Sequence, residues 1–317
     1  MGGSTAVTPD SVNLATDSAL SAPDHHPGEN QKTIRRLVVH VQRKYRQQQW
    51  WVIGRQLDIL ADMINQNISE RFYVVALEPG RETSALPTWA DRCTGNVDFT
   101  GNSEAVSRTE IAEVPGAFQL LNLLTDDECD QFINISESLG YHVDSPVSLP
   151  HSVRHNNNVN WVVHHSIDDQ IWRRCGHLLT EHLEGESALG LNARFRFYRY
   201  RVGDFFKPHT DGAWPGSRVV DGRLVHDAYG DRLSQMTCLI FLSDDYSGGR
   251  TLFYLPGSAE EGSSAQRAEG SVAISTPRGA ALCFPHGHHP QHCLHAGEPV
   301  HSGIKYIIRT DVLFGLV

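Results

Sequence analysis

Long apolar runs are missing from this sequence. No stretch of about eighteen consecutive apolar residues occurs in its 317 positions, so it offers no transmembrane helix. The first residues lack the basic start and apolar block of a secretory leader. Residues 1–21 are instead rich in Ser, Thr, Ala and Asp, and a cytoplasmic, intracellular protein is expected. Cysteine is sparse, six residues in all, with no CxxC pair and no zinc-finger spacing. Free thiols in a reducing compartment are the plain reading. No HExxH occurs, which removes the best-known zinc-hydrolase signature. Positive charge is also scarce. Twenty-seven Lys and Arg against 37 Asp and Glu give a formal net charge of -10, and an acidic chain argues against nucleic acid as the main partner.

What remains is ordinary globular material. The chain is 40% hydrophobic and 20% charged, enough to bury a core without staples. Its length suits one large domain, or one domain with a smaller appendage. Residues 1–30 are polar with Pro and Gly and read as a disordered tail. Residues 31–68 carry helical periodicity, first through Ile34, Leu37, Val38 and Val41, then through Trp51, Leu57, Leu60, Ala61 and Ile64. Within that stretch, residues 32–57 hold seven basic and no acidic residues. That is either a solvated helix face or a docking surface for an acidic partner or membrane. Residues 79–110 are rich in Gly, Thr, Ser, Asn and Pro and read as a linker. The expected organisation is a tail at 1–30, a helical extension and linker at 31–110, and the main domain at 111–317.

That main domain opens on a strand over 114–121. Thr125-Asp-Asp-Glu128 then forms a capping box that starts a helix running to about Leu139. A second helix is expected over 167–183, capped by Ser166 or Asp168. From Asn192 onward the period changes to two. Arg194-Phe-Arg-Phe-Tyr-Arg-Tyr200 alternates, and short strands follow at 235–242, 251–255, 271–275, 280–284 and 305–314, with turn residues between them. Many short strands predict a sandwich or jelly roll. Residues 215–231 and 257–270 read as long loops.

The chemistry concentrates in Tyr200-Arg-Val-Gly-Asp-Phe-Phe-Lys-Pro-His209-Thr-Asp211. On a strand, residues i and i+2 share a face, so His209 and Asp211 can meet one metal ion. A second histidine from another strand would complete a facial triad with open positions, the pattern of ferrous oxygen chemistry. A bare His-x-Asp is weak by itself. Support comes from His295-Ala-Gly-Glu-Pro-Val-His-Ser-Gly303-Ile-Lys305-Tyr-Ile-Ile-Arg309. Here a histidine precedes a glycine-marked turn and a β-rich strand carrying a cation, which can pair with the far carboxylate of a bound diacid.

Over roughly residues 114–314 the sequence resembles the prolyl 4-hydroxylase-like iron(II)/2-oxoglutarate-dependent dioxygenases. The likeness lies in the capped helix, the Tyr200 to Asp211 stretch, Asp245-Tyr-Ser-Gly-Gly-Arg-Thr, Pro277-Arg-Gly-Ala-Ala-Leu-Cys-Phe and the final His295 to Lys305 run. The resemblance implies a mainly β fold, a double-stranded β-helix (jelly roll) core with flanking helices, here with an N-terminal helical extension. It implies His209, Asp211 and His295 as iron ligands, and Lys305 as anchor of the outer carboxylate of 2-oxoglutarate. Tyr200 would hydrogen-bond the same carboxylate. His292 competes with His295, and Arg309 with Lys305, while Tyr198 shares a face with Tyr200. The implied cofactors are Fe(II), 2-oxoglutarate as co-substrate and O2, with ascorbate as a candidate addition. The implied reaction is hydroxylation of a C–H bond, with a prolyl or other residue of a protein or peptide as the expected substrate. A free amino acid or small molecule is the alternative, and a non-catalytic cupin-like module or a zinc hydrolase stands further off. Three further features stay open. The histidine-rich His286-Gly-His-His-Pro-Gln-His292 reads as an exposed loop or a second metal site. Residues 154–158 read as a loop or a substrate contact. Trp214 reads as a pocket wall or as packing.

Overall fold

Alternation in the strand Arg194–Tyr200 sorts its side chains into two environments. Phe195 and Phe197 point one way, into a core with Phe132 and Trp161. Arg196, Tyr198 and Tyr200 point the other way, into the space where the functional residues gather. That division is the plan of the whole molecule. The computed structural model describes residues 66, 68–99, 101, 104–146, 149–180, 182–183, 185–255 and 270–316. The expected tail, the basic segment 32–57, most of the 31–68 helix and most of the 257–270 loop lie outside the described residues. The described residues belong to a compact unit spanning residues 62–317.

Two sheets face each other, as expected for a double-stranded β-helix. Among the described residues the larger has eleven strands, with Arg194–Tyr200, Lys305–Gly315, Arg232–Phe241 and Ala281–Pro285 adjacent at its centre. The smaller has five, in the order Ser271–Ile274, Thr251–Tyr254, His295–Gly297, Phe205–His209 and Arg154–His155. Between the sheets lies a second core of Tyr198, Leu239, Phe241, Phe253, Phe284 and Ile307. Two helices among the described residues cover the outer face of the large sheet. Among the described residues, no helix is long and apolar enough to cross a membrane.

The first helix, α1 (Asp126–Leu139), buries Cys129, Phe132, Ser136 and Leu139 at intervals of three and four. Its capping box forms as expected. The Thr125 hydroxyl accepts from the Glu128 backbone N–H, and the Glu128 carboxylate accepts from that of Thr125. Glu128 is fully buried and also receives both terminal nitrogens of Arg174, at 2.7 and 2.8 Å. This forked contact ties α1 to the second helix, α2 (His165–Cys175). Replacing Thr125 with Ala should cost ~1 kcal/mol. Urea denaturation monitored by circular dichroism reads that loss, and an unchanged midpoint would mean the cap is dispensable.

The structure corrects four sequence readings. Helix α2 starts at His165, with the His164 imidazole accepting from the Ser166 N–H, and gives way to a 3-10 turn over Gly176–Leu178. The expected helix ran to 183. Gly176 lies so close to Trp172 that a Cβ there would sit 2.7 Å from the indole, and a poor helix former at that point lets the last turn tighten. The supposed linker at 79–110 holds two strands of the large sheet, Leu86–Asp91 and Ser107–Glu110. The latter pairs with Phe118–Leu121, so the expected boundary at 111 falls inside a paired ribbon. The 215–231 loop contains a small hairpin, Arg218–Val220 with Arg223–Val225. The fourth correction concerns His286.

Candidate metal centre

Pairing in the small sheet places His209 directly opposite His295. Asp211 follows two residues after His209, just past the end of its strand, and the alternation carries far enough to turn its carboxylate back to the same point. The result is a cluster of three donor atoms, one from each residue, all within 4.8 Å of one another. His209 Nε2 lies 3.8 Å from one carboxylate oxygen of Asp211, and His295 Nε2 lies 3.7 Å from the other. His292, the rival to His295, is exposed and outside the cluster.

Each imidazole is held in one orientation. Nδ1 of His209 is 2.8 Å from the Lys207 carbonyl, and Nδ1 of His295 is 3.1 Å from that of Cys293. A carbonyl only accepts, so both Nδ1 atoms carry the proton and both Nε2 lone pairs face the cluster, as metal-binding histidines require. Phe206 stacks on His209 with ring centroids 3.5 Å apart, and Phe284 meets the His295 ring edge-on at 4.5 Å. Burial and the neighbouring His295 pull the His209 imidazole down to about 3, and burial likewise lowers His295. Both rings are therefore neutral and ready to ligate. Burial alone would raise the Asp211 carboxyl, but the Arg309 guanidinium 3.2 Å away holds it well below the usual carboxylate range.

Behind Asp211 runs a chain of buried polar groups. The Thr237 hydroxyl donates to Asp211 Oδ2 at 2.7 Å and lies 2.6 Å from His286 Nδ1. His286 Nε2 lies 2.9 Å from Ser234 Oγ, which accepts from the Trp214 backbone N–H. One proton arrangement satisfies every link: Ser234 donates to His286, His286 to Thr237, and Thr237 to Asp211. His286 is thus 1% exposed, which overturns the exposed-loop reading for this residue. Gly287, at φ 63°, lets the chain turn beneath the centre and donate its N–H to the Asp211 carbonyl. A Cβ there would meet that of Ala213 at 2.7 Å. Replacing Thr237 with Val should keep the fold and weaken metal binding ~10–100-fold. Titration with Mn(II) followed by electron paramagnetic resonance reads the change, and unaltered affinity would show that Asp211 needs no such support.

A narrow cavity of about 40 Å³ adjoins the cluster. Tyr200, Thr251, Lys305 and Ile307 line it together with the three donor residues. Lys305 and Tyr200 are direct partners across the large sheet. The Lys305 ammonium is buried 5.4 Å from the Tyr200 ring centroid and 5.0 Å from that of Phe241. Its one hydrogen bond runs to the Gly249 carbonyl at 2.6 Å, and among the described residues no carboxylate lies within ion-pair distance. Burial lowers its proton affinity to about 7, with only Glu298 opposing from a distance. Arg309 is placed differently. It lies 3.2 Å from Asp211 and 3.3 Å from Asp311, and its charge is already matched.

Among proteins of known structure, the chain is similar to 2-oxoglutarate- and iron(II)-dependent oxygenases. A viral collagen prolyl hydroxylase from Paramecium bursaria Chlorella virus-1, in its 2-oxoglutarate complex, aligns at 19% identity and TM-score 0.40 over 65% of this chain and all of that one. A Pseudomonas putida prolyl-4-hydroxylase aligns at 14% and 0.38, over 62% and 91%. HygX from Streptomyces hygroscopicus, with nickel and 2-oxoglutarate bound, aligns at 12% and 0.40, over 63% and 82%. No family model and no curated protein matches the chain. Likenesses this distant leave the functional reading to the geometry of the site.

Proposed function

We propose that this chain is an iron(II)- and 2-oxoglutarate-dependent dioxygenase that hydroxylates a C–H bond. The observation that carries the reading is the pairing of two features across one narrow cavity. One is a buried donor set of two imidazoles and a carboxylate; the other is a buried ammonium without a carboxylate partner. Two neutral imidazoles and one carboxylate suit Fe(II) and leave coordination positions open. The unmatched Lys305 suits the distal carboxylate of a keto diacid.

His209, Asp211 and His295 would hold the ferrous ion. Lys305 would hold the far carboxylate of 2-oxoglutarate, with Tyr200 donating its phenol proton to the same group. Arg309 keeps Asp211 ionised and oriented rather than serving as the anchor. Phe206, Phe284 and Ile307 exclude water around the reacting groups. When bound, the ferrous ion and keto acid supply the activation of dioxygen.

The test is anaerobic reconstitution with Fe(II) and 2-oxoglutarate, then admission of oxygen and measurement of succinate. Slow succinate release without any primary substrate is expected, and it should require all three components. Omitting ascorbate in a parallel sample shows whether it sustains turnover. A protein that binds zinc but neither binds nor consumes 2-oxoglutarate would defeat the proposal. Mass spectrometry for the gain of one oxygen separates a peptide substrate from a free amino acid or small molecule.

A further inference from the structure

A second cavity, about 330 Å³, shares Tyr198 with the metal-site cavity and continues along the inner face of the large sheet. Pro146, Trp214 and Pro215 give it apolar walls, and Asn160, Arg194 and Arg196 line it with polar groups. Arg194 is spoken for. Its guanidinium forks onto Glu78 at 2.6 and 3.1 Å, and Glu78 also accepts from Thr88. The other two polar groups are not. Asn160 and Arg196 are direct partners on neighbouring strands and are each 5% exposed. Arg196 spends only Nη1, on Asp311 at 3.2 Å, leaving Nε and Nη2 without an acceptor among the described residues. The Asn160 carboxamide makes no hydrogen bond to another described residue. Burial lowers the proton affinity of the Arg196 guanidinium, as expected of a cation short of partners.

Charge balance points the same way. Glu78 and Arg194 cancel. With a divalent ion and a dicarboxylate in place, Asp211, Asp311 and the dicarboxylate face Arg196, Arg309, Lys305 and the ion, and one positive charge is left over. A single carboxylate would neutralise it. The volume is that of a small-molecule site, and the Trp214 ring is 5.7 Å from the Arg196 guanidinium, with an open side at 40% exposure.

Resting on the oxygenase reading, we propose that this cavity binds the primary substrate, and that the substrate is a small monocarboxylic acid. Arg196 and Asn160 hold its carboxylate and Trp214 packs on its apolar body. The acid then lies beside Tyr198 with its remaining carbons directed toward the metal centre.

The test is calorimetric titration of protein loaded with Mn(II) and 2-oxoglutarate. The probes are acetate, benzoate and 3-phenylpropionate, each set against its own amide. At least one acid should bind about tenfold more tightly than its amide. Asn160→Asp, which puts a negative charge beside Arg196, should abolish that preference, and Arg196→Met should do the same. Trp214→Ala should weaken the aromatic acids but not acetate. Arg196→Met removes a partner of buried Asp311, so the Asn160→Asp result decides if Arg196→Met fails to fold. Equal binding of acid and amide in all three pairs would overturn the proposal, as would a preference that survives Asn160→Asp. Binding of 2-oxoglutarate is measured in the same samples. Tight 2-oxoglutarate binding without acid preference sinks the substrate assignment alone. Acid preference without metal-dependent 2-oxoglutarate binding sinks the oxygenase reading and leaves an anion site.

Discussion

A His295→Ala protein should fold and should no longer hold a metal ion. The loss should exceed the ~10–100-fold expected when a ligand merely loses its hydrogen-bonding partner, which makes Thr237→Val the natural comparison. The stability cost should stay at ~1–3 kcal/mol. His295 contributes packing against Phe284 and Phe253 and one hydrogen bond to a backbone carbonyl. Asp211→Ala is a poorer choice for the same question. It strips Arg309 of one of its two carboxylates, and uncompensated buried charge costs ~3–5 kcal/mol. A metal-free phenotype there would mix ligand loss with unfolding. Co(II) titration by visible absorption, alongside thermal melting, separates the two effects. His295→Ala binding cobalt as tightly as the parent would end the iron-ligand assignment. Loss of binding in His292→Ala instead would move the third ligand to His292.

The parts of this site that are legible in the sequence depend on local rules. His209 and Asp211 are two apart and adjoin a strand, so their convergence follows from the pleat. The Thr125–Glu128 capping box is a four-residue event and forms as read. The alternation of Arg194–Tyr200 correctly separates the helix-covered face from the functional one. The hidden parts depend on pairing between distant segments. The strand Leu86–Asp91 carries Pro87 and is flanked by turn-forming residues, so its composition reads as linker. It is held by antiparallel pairing with Phe72–Glu78 on one side and parallel pairing with Asn157–Val162 on the other, and its composition announces neither. His286 belongs to a histidine-rich, turn-rich segment that reads as exposed. Its burial comes from the pairing of Arg232–Phe241 with Ala281–Pro285, which carries the chain back beneath Asp211. Asn160 and Arg196 owe their burial to the pairing of Asn157–Val162 with Arg194–Tyr200, which no local pattern announces. For the choice between Lys305 and Arg309 the sequence offers two cations on one face of one strand. Only the positions of Asp211 and Asp311 show which of them is already matched.

Lys305→Met should raise the dissociation constant for 2-oxoglutarate by ~100-fold or more, because a buried charge-assisted contact contributes ~2–5 kcal/mol. It should also make the empty protein more stable. Holding a desolvated ammonium against a single carbonyl is unfavourable, and a well-packed apolar side chain of similar volume is better tolerated there. The pH dependence fixes the sign. Lys305 titrates at about 7 in the folded protein against the ordinary 10.5. The folded state therefore binds its proton less tightly than the unfolded chain. The penalty is full below about 7 and fades as pH rises toward 10.5. The stability advantage of Lys305→Met should be greatest near neutrality and shrink in alkali, as thermal melts across that range will show. Ligand binding carries the opposite demand. The diacid needs the charged ammonium, so binding above about 7 must take up a proton. The parent's affinity for 2-oxoglutarate should then fall by up to about tenfold per pH unit, while the Met variant stays flat. Calorimetry in buffers of different ionisation enthalpy counts the proton directly. A pH-independent parent, or an Arg309→Met variant that loses 2-oxoglutarate while Lys305→Met keeps it, would transfer the anchor to Arg309. That transfer would also require Asp211 and Asp311 to release a guanidinium they hold at 3.2 and 3.3 Å.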